Sequence, residues 1–365
     1  MEMGFPLPMD NSKLMSVKIK TVAKALPPFS KKTTDVLPFL DLWLHGQDDR
    51  FIRKVKKIFE NAAVDQRYSI MPPEEVFQSS SFEEKNNFYC QEVKKLGEEC
   101  LRSALQKSSW LASDLDYIIT VSCTGFMIPS LDAYLINKLR LRQDIIRLPV
   151  TEMGCAAGIS GLMYAYDFLK ANPGKKAALI AVEAPTATFQ LNDFSMANIV
   201  SAAIFGDGAA CVLLSSCPDE NGPEIVDAGM YHFFDSEQLM GFNLTNSGLQ
   251  MVLDIEVPEQ IAVHFPAIIH PFLDKNDISI KDIDYFIFHP GGKKIIQTVE
   301  DLLKGLDKDI KQTKEILKDY GNMSSATVLY VLEKIMTEEN PVQGNTGLML
   351  SFGPGFSAQR ILLKW

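Results

Sequence analysis

Basic residues are in deficit: 36 Lys plus Arg stand against 46 Asp plus Glu, a net charge of -10 at pH 7. A protein that works on phosphate backbones carries a basic balance or a basic face, and the only clustered basic stretch runs from Arg50 to Lys57. Nucleic acid is therefore not an expected partner. Long apolar runs are missing as well, none reaching the roughly 18 residues of a membrane span. The opening segment MEMGFPLPMDNSKLM lacks the charged-then-apolar order of a signal peptide. A cytoplasmic protein with no membrane span is expected. Cysteine is sparse and unpatterned, with six thiols in 365 residues and no CxxC pair. That excludes a disulfide framework, points to reduced thiols, and leaves no metal centre to expect.

What is present is ordinary globular material, 46% hydrophobic and 22% charged, enough for a full core in one large unit or two fused ones. Its organisation is an internal echo. Ser113 to Thr120 reads SDLDYIIT and Lys281 to Phe288 reads KDIDYFIF, each a helix exit followed by a continuous apolar run of the kind buried parallel strands show. Each run enters a glycine-bearing loop, SCTGFMIPSLDAYL or HPGGKKIIQTVEDLL, and then a helix. Next, Gly154-Cys155 opens the helix AAGISGLMYAYDFLK, and Gly321-Asn322 opens MSSATVLYVLEKI. Strands follow in matching pairs, AALIAVE with GLMLSF and GAACVLLSS with SAQRILLKW. The pattern predicts a duplicated α/β unit divided into residues 1–217 and 218–365, with two similar mixed sheets packed through a buried helix layer. Helices before residue 110 and the insertion PTATFQLNDFSMANIVSAAIFGDG lie outside the echo. Insertions at the ends of central strands are where such folds keep their substrates, so the pocket is expected there.

Cys155 sits among glycines and alanines at a strand-to-helix turn, where small neighbours let a carbonyl approach and the helix start favours thiolate. A free cysteine taken alone reads equally as a small buried hydrophobe. The partners tip the balance. His289, one of five histidines, ends a buried strand just before Pro290-Gly291-Gly292, a place suited to general-base or ion-pair work. Asn322 begins a helix and reads first as an N-cap. If the two halves face one another, its amide also reaches the sulfur and can donate to a thioester oxygen.

Met153-Gly154-Cys155-Ala156-Ala157-Gly158, Phe205-Gly206-Asp207-Gly208, Phe288-His289-Pro290-Gly291-Gly292, Tyr320-Gly321-Asn322-Met323-Ser324-Ser325 and Phe352-Gly353-Pro354-Gly355 together resemble the motifs of type III polyketide synthases, the chalcone synthase group of the thiolase superfamily. The resemblance runs from about residue 15 to the C-terminus, and Cys123 with Pro129-Ser130-Leu131-Asp132-Ala133 gives it a bacterial look. It implies a thiolase-like αβαβα layered fold and a homodimer without cofactor or metal. It also implies acyl-CoA and malonyl-CoA as substrates and iterative decarboxylating Claisen condensation to a cyclised pyrone, resorcinol or phloroglucinol-type product.

The same resemblance assigns residues. Cys155 is the acylated thiolate, paired with His289 as imidazolium, and His289 with Asn322 binds the thioester oxygen of malonyl-CoA. Phe205 is the gatekeeping aromatic, an apolar wall that disfavours a carboxylate and favours carbon dioxide. Cys123, Thr124, Thr188 and Ser324 line the cavity, and Ile128 reaches the neighbouring subunit's cavity. Arg50 and Lys54 hold CoA phosphates, though as plain sequence they belong equally to a solvated helix face; Lys293, directly after the HPGG loop, is an additional phosphate candidate from its position. Two positions depart from plant members. Met251 replaces a second gatekeeper aromatic with a flexible apolar group, and Phe242 replaces a small cavity residue. A single-condensation 3-ketoacyl synthase and a non-catalytic acyl-CoA-binding relative stay open as alternatives.

Overall fold

The structure, a computed structural model, describes residues 16–306 and 308–365. The opening segment read above for a signal peptide lies outside the described residues. The first half runs β1 (Val17–Ala25), β2 (Phe29–Lys32), α1 (Thr33–Trp43), α2 (Asp49–Glu60), β3 (Gln66–Ser69), α3 (Pro73–Val76), α4 (Phe82–Ser108), β4 (Tyr117–Val121), α5 (Leu131–Leu139), β5 (Ile146–Val150), α6 (Ala157–Ala171), β6 (Lys176–Glu183), α7 (Met196–Ile204) and β7 (Gly208–Ser215). The second half runs β8 (Glu224–His232), β9 (Met240–Thr245), β10 (Gly248–Leu253), α8 (Val257–Asp274), β11 (Tyr285–Phe288), α9 (Lys293–Leu303), α10 (Lys311–Tyr320), α11 (Thr327–Lys334), β12 (Thr346–Gly353) and β13 (Ser357–Lys364). The echoed segments are β4 with β11, α6 with α11, β6 with β12, and β7 with β13.

Two separate sheets were expected, and here the structure differs. Nine strands form one mixed sheet in the order β11-β12-β13-β8-β1-β7-β6-β4-β5, and β9 with β10 and β2 with β3 form two small two-stranded sheets beside it. Its halves join by a short antiparallel contact, Val17 opposite Ile225 and Lys18 opposite Glu224, and the Ile19 N–H donates to the Pro223 carbonyl at 2.9 Å. The physical reason is edge satisfaction. β1 and β8 would otherwise each end a sheet with unpaired N–H and C=O groups.

Strand periodicity sorts the core into layers. On β4 and β6, Ile118, Ala178 and Ile180 pack with α4 residues such as Val93, Leu96 and Leu101. Their alternates Ile119, Ala177 and Leu179 face Ile159 and Leu162 of α6 and Val328 and Leu332 of α11. The second half repeats this arrangement: Ile287 and Met349 join the same middle cluster, while Phe286, Phe288, Leu348 and Leu350 pack outward with α8 residues such as Ile268 and Phe272. Helix, one half of the sheet, helix pair, the other half of the sheet, helix is the resulting order, the five layers of a thiolase-like fold. No helix among the described residues is long and apolar enough to cross a membrane.

The middle pair comes together because Gly158 has no side chain. A Cβ there would stand 2.2 Å from the Ser325 carbonyl oxygen, so α6 meets the start of α11 backbone to side-chain-free backbone. Gly158→Ala is expected to cost about 1–3 kcal/mol of stability by overpacking, read as a lowered midpoint in denaturant unfolding. An unchanged midpoint would show that the two helix starts are free to move apart.

Candidate active site

β5 and the turn after it deliver the sulfur. Gly154 has φ +51, and a Cβ on it would meet Pro354 Cδ at 2.5 Å, so glycine serves both the left-handed backbone and the close approach of the second half. A single 3-10 turn, Gly154–Ala156, then leads into α6. This puts Cys155 at the positive end of the helix dipole. The Cys155 carbonyl accepts from Ser351 Oγ at 2.8 Å, which ties the nucleophile's backbone to β12.

His289 follows β11 directly. Its N–H donates to the Leu350 carbonyl at 2.9 Å, extending the parallel pairing of β11 with β12 by one residue. The side chain is 6% exposed, and both ring nitrogens are buried without a hydrogen-bond partner. Buried polar atoms are nearly always satisfied, so an imidazole held this way is reserved for something that enters from the cavity.

Asn322 follows Gly321, whose φ is +71. Its N–H donates to the Ile204 carbonyl at 2.8 Å, and its own carbonyl accepts from Gly206 N at 3.1 Å. The Asn322 backbone thereby clamps the end of α7 next to Phe205. The side-chain oxygen accepts from Ser324 N at 2.8 Å and from Thr327 Oγ1 at 3.3 Å. The capping reading and the catalytic one are therefore compatible: capping consumes Oδ1 and leaves the amide NH2 as a donor.

All three groups line one cavity, with Phe205, Met251, Phe242, Cys123, Thr124 and Ser324 also in its wall. A second cavity adjoins it and shares Pro185, Phe205 and Met251. Thr188 lines this second space and not the first. Met251 and Phe242 stand directly opposite each other on β10 and β9. Phe242 fills only the first cavity, while Met251 forms part of the partition. The remaining candidates lie elsewhere. Ile128 is 97% exposed, Arg50 and Lys54 are exposed on α2, and Lys293 is exposed at the start of α9. None of these four lines either cavity.

Glu183 is the residue that sequence reading missed. It ends β6 with 0% exposure and accepts from Thr124 Oγ1 at 2.9 Å, Cys123 N at 3.1 Å and Ser325 Oγ at 2.5 Å. Burial raises its pKa, and these hydrogen bonds oppose the rise. The carboxylate binds the loop after β4 to the start of α11. A signal existed: a lone acid closing the apolar run AALIAVE falls at a strand's C-terminal edge, where such folds place polar function.

Electrostatically the cavity disfavours isolated charge. Burial pushes the Cys155 thiol up to about 11, with hydrogen bonds from Ser324 and Asn322 pulling it back, and burial pushes the His289 imidazole down to about 3. A proton passed from sulfur to imidazole creates two opposite charges in one enclosed space, where their attraction is strong. Such a transfer to His289 would give the thiolate from inside the cavity. Among the described residues no cluster of three His, Cys, Asp or Glu side chains is arranged to hold a metal. A nucleophile, a base and a neutral amide donor suit acyl transfer.

Comparison with known proteins places this site in context. The family model for chalcone and stilbene synthases, N-terminal domain, matches residues 21–218, and that for the C-terminal domain matches residues 224–365. A 1,3,6,8-tetrahydroxynaphthalene synthase of Streptomyces peucetius subsp. caesius is 34% identical over 95% of this chain and 93% of that protein. A putative chalcone synthase of Bacillus subtilis (strain 168) is 30% identical over 95% and 98%. The crystal structure of the tetrahydroxynaphthalene synthase of Streptomyces coelicolor A3(2), a bacterial type III polyketide synthase, superposes with TM-score 0.89 at 28% identity, covering 95% of this chain and 99% of that one.

The proton route is testable by alkylation. An imidazole that accepts the sulfur's proton lowers the pH at which Cys155 alkylates, so His289→Gln should move iodoacetamide labelling of Cys155 to higher pH, with a fall of at least about tenfold at pH 7. Superimposable pH profiles for the two proteins would refute the assignment of His289 as acceptor.

Proposed function

The chain belongs to the chalcone and stilbene synthase family and is a type III polyketide synthase, and from that premise we propose the division of labour by which its own side chains carry out iterative condensation. Residues 1–217 supply the nucleophile, and residues 218–365 supply the base and the amide donor. The Cys155 sulfur attacks the thioester carbonyl of the starter while His289 takes its proton. Collapse of the tetrahedral intermediate expels coenzyme A, which recovers the proton from His289 and leaves acyl-Cys155.

Malonyl-CoA then enters with its thioester oxygen toward the Asn322 amide and a His289 N–H. Its carboxylate lies against Phe205, where an ion is poorly solvated and carbon dioxide is not. The C–C bond to the carboxylate breaks, and the electron pair becomes an enolate held by those two donors. The enolate carbon attacks acyl-Cys155, forming the new C–C bond and releasing the sulfur as thiolate. The extended chain on coenzyme A returns to Cys155 for the next round. The single observation that carries this reading is that Cys155, His289 and Asn322, from three distant segments, line one cavity.

Wall composition bears on the starter. Phe242 narrows the first cavity, while the flexible Met251 stands in the partition to the second, an arrangement suited to passing an aliphatic acyl chain through the gate. The relatives bear on the product: three are tetrahydroxynaphthalene synthases and another is a phloroglucinol synthase of Pseudomonas fluorescens. That is consistent with a polyhydroxylated aromatic here. The 97% exposure of Ile128 supports a homodimer in which this residue meets a second copy. Arg50, Lys54 and Lys293 remain candidates for the phosphates of a CoA lying along the surface, and the enzyme is taken to act in the cytoplasm without a cofactor.

Two variants separate the steps. Cys155→Ala should give no acyl-enzyme by intact mass spectrometry and no polyketide. Asn322→Ala should still acylate, while release of labelled carbon dioxide from malonyl-CoA falls by about 10²–10³. Equal loss of both steps in Asn322→Ala would assign the amide to folding rather than to the enolate.

A further inference from the structure

The second cavity is apolar along Phe77, Phe189 and Val36, but it does not stay apolar. Lys31 and Arg67 both line it, and they are direct partners across the antiparallel pair β2–β3. Residues opposed in this way project to the same face with Cβ atoms about 4.5–5.5 Å apart, and like charges so placed repel. The chain offers them no counter-charge: no ion pair among the described residues involves either one.

Arg67 carries most of the argument. It is 9% exposed, and its guanidinium donates only to neutral oxygens, the Ala202 carbonyl at 2.6 Å and Thr33 Oγ1 at 3.1 Å. Those bonds orient the group without neutralising it. Its Nε is buried with no partner, and so is Ser201 Oγ on the residue beside Ala202. Ser201 lines the same cavity. Two unused donors and two cations without an acidic partner thus line the same space as the apolar wall and the Phe205 and Met251 partition. An arginine already stripped of water has borne its share of the desolvation that normally makes a buried ion pair costly, so an incoming carboxylate has only its own to overcome.

We propose that the second cavity is a starter subsite with an anion-binding end, and that the starter this enzyme prefers is an acyl-CoA whose chain terminates in a carboxylate. The methylenes lie along the aromatic wall, and the distal carboxylate accepts from Arg67, Ser201 and Lys31. The thioester end passes the partition to reach Cys155. This inference rests on the loading of starters at Cys155 put forward above.

The test compares chain-matched thioesters, octanoyl-CoA and suberoyl-CoA, by kcat/KM and product mass in wild type and in Lys31→Glu. Lys31 makes no structural bond that the substitution removes, and folding is checked by thermal unfolding. Wild type should favour the carboxylate-terminated starter at least tenfold, and Lys31→Glu should reduce that ratio at least tenfold. A wild-type preference for octanoyl-CoA, or a ratio untouched by the substitution, would overturn the proposal. Equal rises in KM for both starters and for malonyl-CoA, with weaker binding of free coenzyme A, would overturn it in favour of a CoA phosphate at Lys31. Intact-mass acylation of wild type by acetyl-CoA keeps the two readings apart. Absence of acylation by every starter removes the role of Cys155 and this subsite with it, whereas normal acylation without carboxylate preference removes the subsite alone.

Discussion

The approach of α6 to the start of α11 is the constraint on which the site depends. Because Gly158 presents bare backbone to the Ser325 carbonyl, the two middle-layer helices begin side by side, and what each carries at its start is brought into one space. One start carries a sulfur and the other a carboxamide. Glu183 fastens the same junction from the sheet, holding Ser325 of one half and the Cys123–Thr124 loop of the other. The duplicated architecture is therefore the means by which groups far apart in the chain share a cavity.

Once assembled, the site relies on dryness. The cavity contains a thiol raised by burial, an imidazole lowered by burial and an amide whose oxygen is already committed. None of these is a fixed charge on its own. In the mechanism proposed above, charge arises in pairs, when sulfur passes its proton to imidazole, or transiently, when a carbonyl oxygen becomes an enolate facing two donors. Low dielectric would strengthen both events and penalise a carboxylate held against Phe205.

The partition of Phe205, Met251 and Pro185 divides the interior into a reacting chamber and a second chamber. Met251 and Phe242 look like opposing changes when read as letters, one loosening and one tightening. As cross-strand partners on β9 and β10 they act in different places. Phe242 restricts the reacting chamber alone, and Met251 softens the boundary.

The sequence by itself determined the layered fold and the catalytic candidates. Apolar periodicity marks buried strands wherever it occurs, and glycine-flanked Cys155, His289 and Asn322 mark turns that leave a side chain free for chemistry. It could not show that β1 and β8 join the halves into one sheet, because edge pairing is a matter of where strands end in space. Glu183 escaped notice because one acid in an apolar run has no partner visible in the chain; its partners lie 59 to 142 positions away in separate loops. Lys31 and Arg67 were likewise silent. Only tertiary structure set them opposite each other in a cavity without an acid, since charge compensation depends on distance through space and the chain records distance along itself.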